Sequence, residues 1–304
     1  MKTTSYGNIM AAISFLIWGL TPIYYRLMPS AQMDELLAMR IIASVPVGLV
    51  LVYFITGKLP EFRRVWHDKR SLLYTLIAAL LMCISWSTFT WALTNDRVID
   101  ASLGFFISPL MMVALGVLVL KETLSPGKKL AIFFAALGLG YQIVHYGEIP
   151  YVALTMGVFF TLYGFCKKKI AYDWSTTLFF EALLLAPVAT IYMAMKYAQG
   201  DAVSLSSDLS TLLLYLGSGP VTIAPLIFYS IAIRYTNMTN IGLMQYIEPT
   251  LQFLLAVFIF AEYFDQVKMV SFGLIWFGLL LTIVETLLAR SKRGLVSLET
   301  VNKP

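Results

Sequence analysis

The sequence predicts an all-α polytopic membrane protein in which ten transmembrane helices form two inverted five-helix repeats. The composition, the long apolar runs and an internal repeat lead to this prediction. Of the 304 residues, 59% are hydrophobic and only 13% are charged. The hydrocarbon core of a bilayer is about 30 Å thick, so a helix needs roughly 20 apolar residues to cross it. Only helices and closed barrels satisfy their backbone polar groups in lipid, and these runs lack the alternation of barrel strands.

Ten apolar runs approach or reach the length of a membrane span. They lie near residues 7–27, 34–56, 71–93, 99–120, 127–145, 149–166, 175–195, 210–231, 238–260 and 267–288. The loops between them are short, which leaves no room for a soluble domain. We therefore expect residues 1–146 and 147–290 to form the two repeats, and residues 291–304 to form a polar cytoplasmic tail.

Basic residues predict the direction of insertion, because Lys and Arg are in excess in cytoplasmic loops. If the N-terminus is cytoplasmic, the loops on that side contain clusters such as Lys167, Lys168 and Lys169. The opposite side contains only Arg26, Arg97, Lys196 and Lys268. Both termini are therefore expected in the cytoplasm. The same asymmetry accounts for the net charge of +5, which gives no indication of nucleic-acid binding.

The internal repeat appears when the chain is shifted by 140 residues. "ASLGFFISPLMMVALGVLVLKETL" then falls on "IGLMQYIEPTLQFLLAVFIFAEYF" without a gap, with Pro109 on Pro249 and Glu122 on Glu262. Because each half has an odd number of predicted spans, the second half must insert upside down. Inverted repeats are typical of secondary transporters, whose substrate site lies near the bilayer midplane. Some channels share this arrangement.

A carboxyl group stands near the middle of the ninth predicted span, in the segment "QYIEPTLQF". An acidic residue there costs roughly 2.5–3.5 kcal/mol on insertion scales, so Glu248 is not expected to face lipid. Gln245, Glu248 and Gln252 have the spacing of one helical face. We expect Gln245 and Glu248 to contact substrate, and Glu248 to carry a proton. The alternative is that Glu248 only forms hydrogen bonds between helices.

The two aligned prolines predict a hinge or structural role in each half. Pro249 removes the helical hydrogen bond to the carbonyl of Gln245, and Pro109 does the same for Phe105. The freed carbonyls would then face a polar site, as in other transporters. Glu122 and Glu262 stand at the ends of the matched spans, which suggests a structural role at the turns of the repeats.

Arg40 is a second charged residue inside an apolar span, where charge is costly, and it lies about seven residues into the second span. It is expected to hold an anionic substrate group or to pair with Glu248. The alternatives are an ion pair with Glu35 or a side chain that reaches outward to the interface. Glu181 corresponds to Arg40 in the second half and is expected to form part of a polar network or to meet the lysines at 167–169.

Aromatic side chains complete the predicted substrate site. They could equally belong to the aromatic belts at the two interfaces of the membrane. The aromatic residues predicted to bind substrate are Trp18, Tyr25, Trp86, Trp91, Phe105, Tyr229 and Tyr246.

Several motifs together resemble the drug/metabolite transporter superfamily, in its EamA class and RarD-like branch. They are "WGLTPIYYRL", "DELLAMR", "ASLGFFISPL" and "GLMQYIEPTLQFLLAVFIFAE", and the resemblance covers about residues 7–290. It implies a 5+5 inverted repeat around a central cavity, lined mainly by spans 1, 3, 4, 6, 8 and 9. It also implies export or exchange of small metabolites across the bacterial inner membrane.

The expected function is therefore secondary active transport of a small amphipathic metabolite or drug by alternating access, with proton coupling as a hypothesis. The expected partners are this small molecule, the lipid bilayer and protons, with no cofactor and no metal; a monomer and a homodimer both remain open. The alternatives are a passive channel, a lipid flippase and, least favoured, an intramembrane enzyme. An enzyme would need a nucleophile beside a base or a metal cluster, which His67, His145, Cys83 and Cys166 do not form in sequence.

Overall fold

The computed structural model describes residues 2–28, 31–95, 98–147, 150–206, 208–259 and 266–301, and all regular elements in this part are helical. The helices are α1 Lys2–Tyr25, α2 Met33–Thr56, α3 Phe62–His67, α4 Lys69–Thr94, α5 Val98–Leu118, α6 Pro126–Tyr146, α7 Tyr151–Lys169, α8 Trp174–Ala198, α9 Val203–Ser206, α10 Leu209–Tyr235, α11 Met238–Gln245, α12 Ile247–Leu254 and α13 Gln266–Val301. A π-helical turn, Leu255–Ile259, follows α12.

The predicted class is confirmed: the chain is an all-α polytopic membrane protein. Within the described residues, eight helical stretches are long and apolar enough to span a membrane. The fourth and sixth predicted spans are not among the eight. Within the described part of α5 the apolar stretch is Leu103–Leu118, and α7 ends in three lysines. The count of ten spans and the inverted insertion stay predictions.

Side-chain caps explain where several helices begin. Ser125 accepts a hydrogen bond from the amide of Lys128 at the start of α6, with Pro126 in the first turn. Asp208 and Asn237 cap α10 and α11 in the same way. Asp68 caps α4, and its hydrogen bonds from the hydroxyl and amide of Ser71 hold the pKa of this carboxyl below its ordinary value. Each cap satisfies an amide that the helix itself leaves unpaired.

Most of the large helix contacts join one half of the chain to the other. Helix α1 packs on α10, α4 packs on α7, and α6 packs on α13. Helix α2 packs on both α8 and α10, and α5 packs on α7 and α11. Under the 140-residue offset the contact of α1 with α10 corresponds to that of α7 with α4. The core of the molecule therefore lies between the halves, where their helices interleave.

Two glycines set the distance between α6 and α13. A methyl group built on Gly138 would lie 2.9 Å from the carbonyl oxygen of Ser271. One built on Gly278 would lie 2.9 Å from the Cα of Ala131. Gly278 lies 140 positions after Gly138, and Ser271 lies 140 positions after Ala131. The two contacts therefore correspond under the repeat. Small residues allow such close backbone approach between membrane helices.

We expect Gly138→Ala to destabilise the protein, because the added methyl group meets rigid backbone on α13. Overpacking of this kind typically costs about 1–3 kcal/mol. Gly140→Ala is the matched control on the same helix, since nothing lies within 4 Å of its added methyl group. Thermal unfolding of the purified variants in detergent measures both effects. A Gly138→Ala variant as stable as the control would contradict this account of the α6–α13 contact.

Candidate functional site

A central cavity of about 530 Å³ lies between the two halves. Its volume is within the range of pockets that hold a small organic ligand. Seven of the ten residues predicted to bind substrate line it: Trp18, Tyr25, Arg40, Trp86, Phe105, Gln245 and Glu248. The lining comes from α1, α4, α5, α7, α10, α11 and α12, as the family resemblance implies, and also from α2. The contribution of α2, which includes Arg40, was not among the spans implied by the resemblance.

The cavity extends from the middle of the molecule toward one face. Its residues lie in the last part of α1, the first part of α2, the last part of α4 and the first part of α5. The connections between α1 and α2 and between α4 and α5 are on this face, which we name the mouth side. We name the opposite face, where α7 ends, the closed side. The site thus communicates with one side of the protein.

Arg40 presents its guanidinium to this cavity. The Cζ atom of Arg40 lies 4.1 Å from the centroid of the Trp86 ring, and the Tyr25 hydroxyl also interacts with the guanidinium. The Nε atom is buried without a hydrogen-bond partner. Among the described residues Arg40 forms no ion pair, and Glu35 instead accepts hydrogen bonds from Val203 and Ser204. The alternative of an Arg40–Glu35 pair is therefore wrong.

Glu248 lines the same cavity, in the first turn of α12. Its nearest polar contact is the amide of Gln252, with 3.5 Å between Nε2 and Oε1, which is at the limit of a hydrogen bond. The part of the chain that the structure describes provides no basic partner for this carboxyl. Arg40 and Glu248 thus line one cavity together with Arg26, and within the described residues neither Arg40 nor Glu248 forms an ion pair.

Gln245 joins the two halves at the floor of the cavity. Its amide donates a hydrogen bond to the Ser108 hydroxyl on α5, with 2.9 Å between Nε2 and Oγ. Its Oε1 atom is buried and has no hydrogen-bond partner. Buried polar groups are normally paired, so this acceptor and the Arg40 Nε donor stand out as cavity-side polar atoms that have no hydrogen-bond partner among the described residues.

The two aligned prolines behave differently. Helix α5 continues without a break through Pro109, whereas the corresponding span of the second half is divided at Tyr246, three residues before Pro249. A methyl group built on Gly242 would lie 2.7 Å from the Pro109 carbonyl oxygen. The backbone of α11 therefore approaches α5 at the proline itself. The π-helical turn after α12 adds a second irregularity to this span, a feature that often marks functional sites.

Three residues predicted to bind substrate lie outside the cavity lining. Tyr229 is fully buried, and its ring centroid lies 5.7 Å from that of Trp18. Tyr246 is also buried, and its hydroxyl donates to the Phe106 carbonyl at 3.4 Å. Trp91 is on α4 and is 48% exposed. In their place the cavity is lined by Phe89 and Phe160, which the sequence did not distinguish from packing residues.

An aromatic cluster separates the cavity from the closed side. It consists of Phe15, Trp18, Phe160, Tyr163 and Tyr229. Neighbouring ring centroids in the cluster are 5.5–6.1 Å apart, and the rings of Tyr163 and Tyr229 are stacked at 5.8 Å. Such offset and edge contacts stabilise beyond the burial of apolar area. These contacts pack α1, α7 and α10 together, and we interpret the rings as a barrier between the cavity and the closed side.

A buried ion pair lies beyond this barrier. Lys167 donates to both carboxylate oxygens of Glu181 at 2.8 Å, and the Tyr163 hydroxyl donates to the same group at 3.2 Å. Both charged side chains are buried. The expectation that Glu181 meets one of the lysines at 167–169 is confirmed.

The connection between α10 and α11 is held by polar contacts from both halves. Glu122 accepts hydrogen bonds from the amides of Met238 and Thr239, both at 2.8 Å, which places a carboxylate at the positive end of α11. Lys128 donates to Asn240 at 2.6 Å. These contacts agree with a structural role for Glu122. Its counterpart Glu262 lies outside the described residues.

Sequence comparisons agree with this architecture. The EamA-like transporter family matches the chain twice, over residues 5–141 and 149–284. The chain belongs to the EamA-like transporter family. It is 34% identical over 286 residues to an "Uncharacterized transporter" of Vibrio cholerae, with 93% of each chain covered. It is 32% identical over 293 residues to "Protein RarD" of Escherichia coli, with 94% of this chain and 96% of that protein covered.

The relationship to RarD-like members of the EamA family is thus confirmed, and the chain is a membrane transporter of the drug/metabolite type. A solved crystal structure with 18% identity matches the fold with a TM-score of 0.68. It covers 94% of this chain and 99% of that chain. At this identity the match supports the fold alone.

We expect Arg40, which faces the cavity, and Lys167, which is buried against Glu181, to differ in their effect on stability. Arg40→Met removes a cavity-facing charge without leaving a carboxylate unpaired, so the free energy of unfolding should change little. Lys167→Met leaves Glu181 buried without its partner, which typically costs about 3–5 kcal/mol. Thermal unfolding in detergent separates the two outcomes. A large loss of stability in Arg40→Met would show that Arg40 has a structural partner.

Proposed function

We propose that this EamA-family chain exports or exchanges a small amphipathic metabolite by alternating access, with the central cavity as its substrate site. The observation that carries the proposal is the placement of Arg40 and Glu248 in one aromatic-walled cavity between the halves, where neither has an ion-pair partner among the residues that the structure describes. Charges in a membrane protein are costly and usually functional, so two such groups around one cavity favour a bound ligand.

The chemistry of the lining favours a substrate with both apolar and charged parts. Arg40 would bind a carboxylate or another anionic group, and Glu248 would bind a cationic group or a proton. Trp18, Trp86 and Phe105 would pack on the apolar part, and aromatic faces also attract cations. The protein is proposed to lie in the bacterial inner membrane with both termini in the cytoplasm.

The barrier below the cavity favours a carrier over a passive channel. The aromatic cluster and the Lys167–Glu181 pair obstruct the path to the closed side, so passage requires the halves to move. In such a cycle the halves rock around a fixed site near the midplane. The halves of a lipid flippase would also have to move. A flippase would in addition require an opening between helices through which the lipid tails could pass.

Counterflow in liposomes tests this function. Purified protein is reconstituted with one unlabelled metabolite inside and the same labelled metabolite outside, across a panel of neutral, anionic and zwitterionic compounds. A carrier accumulates label transiently and with saturation. Conductance that rises linearly with concentration, without counterflow for any compound, would contradict the proposal and favour a channel.

Glu248→Gln is expected to abolish transport driven by a pH gradient while leaving exchange at equal pH intact. The amide keeps the shape of the side chain but cannot take up a proton, so substrate exchange continues without proton movement. Glu61→Gln, which neutralises a partly exposed carboxylate that pairs with Arg64 before α3 and far from the cavity, is the control. Unchanged pH-driven transport in Glu248→Gln would remove the proton role of Glu248.

Arg40→Met is expected to reduce counterflow of anionic and zwitterionic compounds more than that of neutral ones. A lost charge-assisted hydrogen bond is worth about 1.5–3 kcal/mol, which corresponds to a loss in affinity of roughly 10- to 150-fold. Arg63→Met, on the exposed face of α3, is the control. An equal reduction for all three classes of compound would exclude recognition of an anionic group by Arg40.

A further inference from the structure

A short surface helix on the closed side joins the ends of two membrane spans. Helix α2 starts at the mouth side and ends at Thr56, and α4 starts at Lys69 and runs back toward the mouth side. Residues 57–68 connect the two helices and include α3. Both α2 and α4 are long and apolar enough to span a membrane. Their connection therefore lies where the hydrocarbon core meets the lipid headgroups.

The inward face of α3 is fastened to the second half of the chain. Val65 is buried in one cluster with Tyr172. The Tyr172 hydroxyl donates to the carbonyl oxygens of Val65 and Asp68, at 3.3 and 2.7 Å. The Arg64 guanidinium donates to the Ala171 carbonyl at 3.2 Å. These contacts hold α3 in one orientation, so the side chains on its other faces stay exposed.

Trp66 is one of these exposed side chains. It is 72% exposed, and Leu59 in the loop before α3 is exposed as well. The helical repeat places Trp66 beside the buried face of α3 and Arg63 nearly opposite Val65, toward water. Tryptophan is enriched at the boundary between hydrocarbon and headgroups, because its ring is apolar and its N–H is polar. An exposed tryptophan at the ends of two spans therefore indicates a lipid contact.

The first residues of α4 continue its exposed apolar face. Leu73, Leu76 and Leu80 are exposed on one side of this helix, which meets lipid in a membrane span. Lys69 is at the head of the same face, four residues before Leu73, and Arg70 is exposed next to it. Long basic side chains at the end of a span extend along the apolar surface and place their charge among the headgroups.

The charge of this region is positive and is not neutralised by the protein itself. Lys58, Lys69 and Arg70 are exposed, and none of them forms an ion pair within the described part of the chain. The nearby carboxylates are already engaged, since Glu61 pairs with an arginine of α3 and Asp68 caps α4. Exposed cations beside exposed apolar side chains at this depth complement the phosphate and the upper acyl chains of an anionic phospholipid.

We propose that a surface of five side chains binds an anionic phospholipid of the leaflet on the closed side. This lipid surface consists of Lys58, Leu59, Trp66, Lys69 and Arg70. Its three basic groups bind the phosphate and the headgroup, and its two apolar groups pack on the glycerol end of the acyl chains. The inference does not depend on which compound the protein transports.

Native mass spectrometry of the full-length protein in a neutral detergent tests the lipid surface. The probes are phosphatidylglycerol and phosphatidylcholine with the same acyl chains, and the readout is the dissociation constant of the first bound lipid. We expect the wild type to bind phosphatidylglycerol more tightly. Each basic residue near an anionic lipid contributes a factor of roughly five, so the triple variant Lys58→Gln, Lys69→Gln, Arg70→Gln should bind it roughly 100-fold more weakly. Binding of phosphatidylcholine should change little.

The matched control is the triple variant Lys121→Gln, Lys129→Gln, Lys169→Gln. It removes the same number of exposed charges from other parts of the closed side, and we expect it to bind phosphatidylglycerol as the wild type does. Equal weakening in both triple variants would show an unspecific effect of net charge and overturn the proposal. Equal affinity of the wild type for the two lipids would overturn it as well. So would a dimer that only the first variant loses, because a second copy would then cover the surface.

Fluorescence in lipid vesicles tests the position of Trp66 separately. Trp66→Phe removes one emitter, so the difference between its spectrum and that of the wild type gives the emission of Trp66. Lipids brominated near the glycerol end of their acyl chains should quench this emission more than lipids brominated near the chain end. Emission that neither lipid quenches would place Trp66 in water and contradict the lipid surface.

Discussion

The crossing of α5 with α11 and α12 is the contact on which the rest of the site depends. Gly242 brings the backbone of α11 against the Pro109 carbonyl, and the Gln245 amide reaches Ser108 a few residues away. Both contacts join one half of the chain to the other. In lipid such polar groups must be satisfied within the protein. The crossing therefore fixes the depth at which Phe105, Gln245 and Glu248 face the cavity.

On the two sides of this crossing the helices pack differently. Toward the mouth side the helices leave an open cavity, and Asp34 on α2 is held by Tyr192 and Lys196 of α8. Toward the closed side the aromatic cluster, the Lys167–Glu181 pair and the cap that Glu122 provides for α11 bring the helices together. These contacts could act as a switch on the closed side, because an ion pair or a helix cap is either formed or broken. In the proposed cycle this conformation would be the state that is open toward the mouth side.

Much of this site could be predicted from the sequence because charge inside a membrane is expensive. Arg40 and Glu248 stand out in apolar spans for that reason. The 140-residue repeat added that Pro249 corresponds to Pro109. The aromatic residues were harder: rings such as those of Tyr229 and Tyr246 pack equally well on neighbouring helices and on a cavity, so residue type carries no signal for which of them meets the cavity. The break at Tyr246 and the continuity at Pro109 depend on how closely neighbouring helices approach, which is a property of the tertiary packing.

Access to the cavity from the two sides of the membrane is the most direct test of this account. Thr21 lines the cavity, and a Thr21→Cys substitution in a background lacking Cys83 and Cys166 creates a single reporter. A membrane-impermeant maleimide is applied from either side of oriented vesicles. The account predicts labelling from the mouth side alone at rest, and from both sides during counterflow of a transported compound. Labelling from both sides at rest, or from the mouth side alone during counterflow, would contradict alternating access around this cavity.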